Sequence, residues 1–160
     1  MDDVLEWLLQ PDPSNPGVRY FALKDLLDRP DSDPEVQAGQ AALMQSGPVP
    51  AILAEQDPEG WWGKPGAGYG PKYRSTVWTV TFLAMLGADG RDDRVRRGCA
   101  YVLDHARAPA PYFGFTAGGA SGMVHCLQGN LAAALIDLGW LGDDRLDEAS
   151  DWLARSSTGD

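Results

Sequence analysis

The sequence predicts an all-α fold of repeated antiparallel helix hairpins, stacked in two layers as part of an α/α toroid. Three observations predict it. Pro and Gly cluster at residues 11–17, 47–50, 58–71 and 109–122, and the blocks between them space their apolar residues as helices do. One helix-pair unit recurs, with Leu86-Gly87 and Leu138-Gly139 in register at a separation of 52. Within each unit a nearly uncharged helix precedes a charged one.

The elements follow in order. Val4 to Leu9 is a short apolar helix behind Asp2 and Asp3, whose carboxylates suit the positive end of a helix dipole, and it stops at Pro11. Over residues 17–28, Val18, Phe21, Ala22, Leu26 and Leu27 mark one apolar helical face. Asp33-Pro34 is an N-cap followed by Pro at the first helical position, opening a helix to about Gln45. Val49 to Leu53 is a further short helix. Ser75 to Leu86 is rich in β-branched residues, but its length of about 12 and the Leu86-Gly87 stop favour a buried helix over a strand. Asp92 to Ala106 places Val95, Cys99, Val102 and Leu103 on one face. Cys126 to Leu138 and Asp143 to Leu153 repeat the pattern.

With one gap, Asp92-Asp93-Arg94-Val95 falls on Asp143-Asp144-Arg145-Leu146, and Tyr101 on Trp152. A shorter copy runs from Arg19 through Leu27 to Asp33 and Val36. Paired helices repeating at this length must stack, because one hairpin alone cannot bury both its faces. The uncharged helices are expected in an inner layer and the charged ones outside. The paired aspartates are explained as helix caps.

Composition narrows the partners. The chain has 160 residues, 44% hydrophobic and 22% charged, enough for one domain with a real core. A net charge of -10 disfavours nucleic acid and anionic lipid surfaces. No apolar run reaches the roughly 18 residues of a membrane span, and Met1-Asp2-Asp3 has acids where a signal peptide carries bases, so a cytoplasmic location is expected. Cys99 and Cys126 are too few for a disulfide framework and have no zinc-type spacing. No cofactor or metal is expected. An uncapped apolar face on the last hairpin would favour a homo-oligomer.

Gln56-Asp57-Pro58-Glu59-Gly60-Trp61-Trp62-Gly63 contains Q-x3-G-x-W, which resembles the QW motif of squalene and oxidosqualene cyclases, relatives of the protein prenyltransferase β subunits. The resemblance covers residues 48–155, with a looser HEAT-like lead-in hairpin over 1–47 and a polar tail at 156–160. It implies a toroid in which Gln bonds turn backbone and Trp packs on the next repeat, and an isoprenoid-type ligand. The family's catalytic residues are missing. No Asp-x-Asp-Asp acid occurs, and Cys126 has Val124 where the prenyltransferase zinc site has Asp. Three readings follow: a divergent member that binds an apolar or isoprenoid-type ligand or acts as a scaffold; a fragment of a working cyclase or prenyltransferase with its catalytic residues outside this chain; or a HEAT-like protein-interaction module.

The ligand candidates are Trp61, Trp62, Lys64, Tyr69, Lys72, Tyr73, Arg74 and Trp78, with Tyr112, Phe113, Phe115 and His125 on a second loop backed by Gly118, Gly119 and Gly122. Aromatics interleaved with cations suit an apolar ligand with an anionic head such as diphosphate. In the simpler reading the Trp residues join repeats and the cations solvate a long loop. His125 and Cys126 are adjacent, a poor arrangement for one tetrahedral ion. His105 and Cys99 fit as a helix-end donor and a small core residue.

Overall fold

The computed structural model describes residues 2–118 and 122–158; Gly119 and the last two residues of the tail lie outside them. The helices are α1 (Asp2–Leu8), α2 (Pro16–Phe21), α3 (Pro34–Leu43), α4 (Pro48–Ala54), α5 (Thr76–Met85), α6 (Asp93–His105), α7 (His125–Asp137) and α8 (Asp144–Thr158). Among the described residues there is no strand, only isolated bridges pairing Arg107 with Phe115 and Thr116 with Met123. None of these helices is long and apolar enough to cross a membrane. In α5 the Thr79 and Thr81 hydroxyls donate back to the Ser75 and Val77 carbonyls, so the β-branched polar residues satisfy themselves within the helix.

The chain falls into two units. Residues 1–54 and 86–89 form one, and residues 55–85 and 90–160 the other. In the first, α2 continues into a π-helical turn, Ala22–Leu26, where the Leu27 amide reaches the Ala22 carbonyl. This corrects the expected face. Tyr20, Ala22 and Leu23 are buried, while Val18 and Leu26 are exposed, Leu26 by 59%. Tyr20 decides the rotation, because its ring lies against Gly39 of α3 and Gly87, where glycine leaves room for it. Arg19 and Arg29 both bind Glu35, tying α2 and the following turn to α3.

In the second unit α5 packs on α6 and α7, and α7 packs on α8. Their apolar cores interlock through Val77, Val80, Leu83, Leu103, Leu131, Leu135 and Leu146, all buried. The Gln56 amide donates to the Gly60 and Arg94 carbonyls, and the Trp62 ring packs against Gly98 of α6. The guanidinium groups of Arg96 (5.3 Å) and Arg145 (5.7 Å) both lie over the Trp140 ring. Arg145 also pairs with Asp104, and Arg107 with Glu148, joining α6 to α8.

The repeat is visible in the backbone. Asp28, Gly87 and Gly139 end their helices with φ of 49°, 74° and 85°. A few residues later Asp33, Asp92 and Asp143 each accept the amide two positions on, from Glu35, Arg94 and Arg145. Arg94 and Arg145 then fork onto the same carboxylates. These hydrogen bonds from arginine hold the Asp92 and Asp143 carboxyls below the usual carboxylate range.

Candidate functional site

Helices α5 and α7 run parallel. At one end Gly90, just past α5, sits against the Leu138 carbonyl that closes α7, and a β-carbon there would lie 2.2 Å from that oxygen. At the other end Lys72, just before α5, lies within electrostatic range of Cys126 in the first turn of α7. The loops 61–74 and 107–124 therefore enter the same end of the helix pair.

The first loop is pinned in place. The Gly66 amide donates to the Tyr101 hydroxyl, the Trp78 indole to the Tyr69 carbonyl, and the Ser75 hydroxyl to the Pro71 carbonyl. These bonds gather Tyr69 and Tyr73 around Trp78, with ring centroids 5.3 and 5.0 Å from it. The Lys72 ammonium lies 5.0 Å from the Tyr73 ring centre and 5.6 Å from that of Trp78. Its pKa is raised, first by its hydrogen bond to Tyr73. Arg74 and Lys64 are exposed on the same loop, and among the described residues none of these three cations has a carboxylate partner. By contrast Arg19, Lys24, Arg29, Arg94, Arg107 and Arg145 are all ion-paired.

Two of the expected ligand residues prove to be core. Trp62 is buried on Gly98, and its amide donates to the Thr76 hydroxyl. Phe115 is buried as well, because Gln128 of α7 grips its backbone, accepting its amide at 2.6 Å and donating to its carbonyl. Trp61 turns to Glu59. Phe113 carries Arg107 over its ring, Tyr112 is exposed, and His125 is exposed beside Trp152 at 6.1 Å. The structure thus brings Tyr69, Lys72, Tyr73 and Trp78 together, with Arg74 next to them in the chain.

Below this cluster each helix has a stripe that is exposed or half-exposed and that periodicity does not reveal. On α5 it comprises Trp78, Thr81, Phe82 and Met85; on α7 Cys126, Asn130, Ala133, Ile136 and, at its far end, Asp137. The positions recur at helical spacing, so each set forms one stripe. Both helices are apolar nearly all round, and such a sequence has no polar face to show which side is open. The charge pattern does carry a signal: residues 60–88 and 105–136 contain no Asp or Glu, in a chain of net charge -10. Both helices of the strip and both loops at its rim lie in those acid-free stretches, apart from Asp137 at the end of α7.

Cys99 is buried and burial pushes its thiol up to about 12, leaving it protonated at neutral pH. Among the described residues no group of three or more His, Cys, Asp and Glu is placed to hold a metal. A cavity of about 530 Å³ lined by Leu5, Glu6, Leu9, Gln10 and Pro11 belongs to the other unit and contains none of the expected residues. No family model, curated protein or solved structure matches the chain.

Proposed function

We propose that the 55–85 and 90–160 unit binds an apolar ligand with an anionic head along the α5–α7 strip, as a divergent relative of the squalene cyclase and prenyltransferase repeats. On this reading its two hairpins are an arc of an α/α toroid with α5 and α7 on the inner wall. One observation carries it: Lys72 lies over Tyr73 and Trp78, with Tyr69 beside them and Arg74 next in the chain, and neither cation has a carboxylate partner among the described residues, at the head of two helix stripes whose nearest acid is Asp137 at the far end. The cations meet the head group and the strip takes the tail. The chain supplies neither the Asp-x-Asp-Asp acid nor the Asp-x-Cys pattern, so binding is assigned rather than turnover. Two free cysteines, one of them exposed, fit a reducing cytoplasm.

The test is quenching of tryptophan fluorescence by farnesyl diphosphate, with farnesol and inorganic diphosphate as half-ligands. The whole probe should saturate and bind more tightly than either half. Lys72→Glu with Arg74→Glu should weaken it at least about tenfold, the loss expected for charge-assisted contacts. A signal that does not saturate, or one unchanged in the double variant, would sink the reading.

A further inference from the structure

Helix α1 carries the opposite surface to the α5–α7 strip. At roughly 100° per residue, Glu6, Asp3, Trp7 and Val4 fall in one arc, with Leu5 and Leu8 on the other side. That arc is open: Asp3 and Glu6 are exposed, as are Val4 (61%) and Trp7 (65%), while Leu5 and Leu8 are half-buried. The helix has no basic residue. Among the described residues neither Asp3 nor Glu6 has an ion-pair partner. One surface is an indole flanked by unpaired carboxylates; the other is an aromatic cluster flanked by unpaired cations.

We propose that α1 of one molecule docks on the α5–α7 strip of a second copy of this chain. Trp7 enters beside Trp78 and Tyr73, Asp3 and Glu6 face Lys72 and Arg74, and Val4 lies on the apolar strip toward Met85. The mode is a short amphipathic helix laid along the open stripes of two neighbouring helices, with its apolar anchors setting the register. A second copy is favoured over other occupants by charge. Two molecules of net charge -10 repel as wholes, so their association depends on a face poor in acids and headed by Lys72 and Arg74 meeting an acidic segment, and the chain carries both. Two turns of helix span only about 10 Å and cover little area, so the association is weak, on the order of 100 µM. It uses the face assigned above to a ligand but does not rest on that assignment.

Sedimentation velocity of the 160-residue chain from about 10 to 500 µM tests it, because this range brackets the expected constant. The weight-average sedimentation coefficient should rise with concentration. Trp7→Ala, Asp3→Lys with Glu6→Lys, and Lys72→Glu with Arg74→Glu should each weaken association at least about tenfold, as expected for a central anchor and for its charge partners. Joining the two charge reversals in one chain should restore it. All these positions are exposed, and circular dichroism confirms that each variant is folded. A monomer throughout the range, an unaffected Trp7→Ala variant or failure of the combined reversal to restore association overturns the proposal. So does loss of association in Leu141→Asp but not in Trp7→Ala, which would assign the contact to the last hairpin, where Leu141 is exposed. The fluorescence titration runs near 1 µM, far below this constant, so failure of either experiment leaves the other standing.

Discussion

At the scale of single residues, two glycines in helices show how differently the same residue is used. Gly98 of α6 lies under Trp62, and a β-carbon there would approach the indole to 2.7 Å. Gly129 of α7 is exposed and has nothing within 4 Å of the same position. Gly98→Ala should therefore destabilise the fold by about 1–3 kcal/mol through overpacking. Gly129→Ala should stabilise it by about 0.5–1 kcal/mol, because alanine loses less backbone freedom in a helix. Urea denaturation of the two variants gives the sign of each change, and equal signs would contradict the packing described. The Gln-to-Trp motif placed Gln56 and Trp62 in the sequence. It did not show that Trp62 would be buried against Gly98, because burial of a loop side chain has no periodicity to read. Phe115 escaped for the same reason, since its anchor, Gln128, lies on another element and looks like an ordinary polar residue of α7.

At the scale of elements, the helix starts have a measurable pH signature. Asp92 and Asp143 are held below the usual carboxylate range, chiefly by hydrogen bonds from Arg94 and Arg145. A depressed folded-state value stabilises the protein above the unfolded value, near 3.9, and that contribution is lost as pH falls through the lower folded one. Asp92→Ala should cost about 1 kcal/mol near pH 7 through loss of the cap. Asp92→Asn keeps a capping oxygen and should cost less. Arg94 is 41% exposed, so its screened ion pair adds under about 1 kcal/mol. The gap between wild type and Asp92→Asn should begin to narrow as pH falls through about 3.9 and close only below the lower folded value, where the native carboxyl also becomes neutral. Thermal melts from pH 3 to 7 measure it; a gap independent of pH would remove the charge from the account. Start signals such as Asp33-Pro34 and Asp92-Asp93 were legible because the cap lies next to its helix in the sequence. The π-helical turn at Ala22–Leu26 was not, because it answers to Gly39 and Gly87, distant residues that make room for Tyr20.

At the scale of the molecule, helices differ in how much of themselves they hide. In α5, Val77, Val80 and Leu83 are fully buried, while α1 shows no buried residue among those described. Amide hydrogen exchange should therefore be slowest in the middle of α5 and fastest in α1, since local opening costs least where little apolar surface is covered. Equal protection in the two would show that α1 is held by contacts other than those seen. The all-α class and the hairpin repeat could be read from spacing and punctuation alone. The shared end of α5 and α7, and the open strip beneath it, needed coordinates, because side-by-side placement depends on long-range packing.

The left-handed stops at Asp28, Gly87 and Gly139, each followed by an aspartate cap, have a further consequence. A segment bounded by two such joints starts and finishes in matching backbone geometry, so it is interchangeable with its neighbours in the way of a bead on a string. Duplicating the stretch from Gly87 to Leu138 would lengthen the array without requiring a new linker, and gene duplication or a protein engineer has the same ready-made seam to work with.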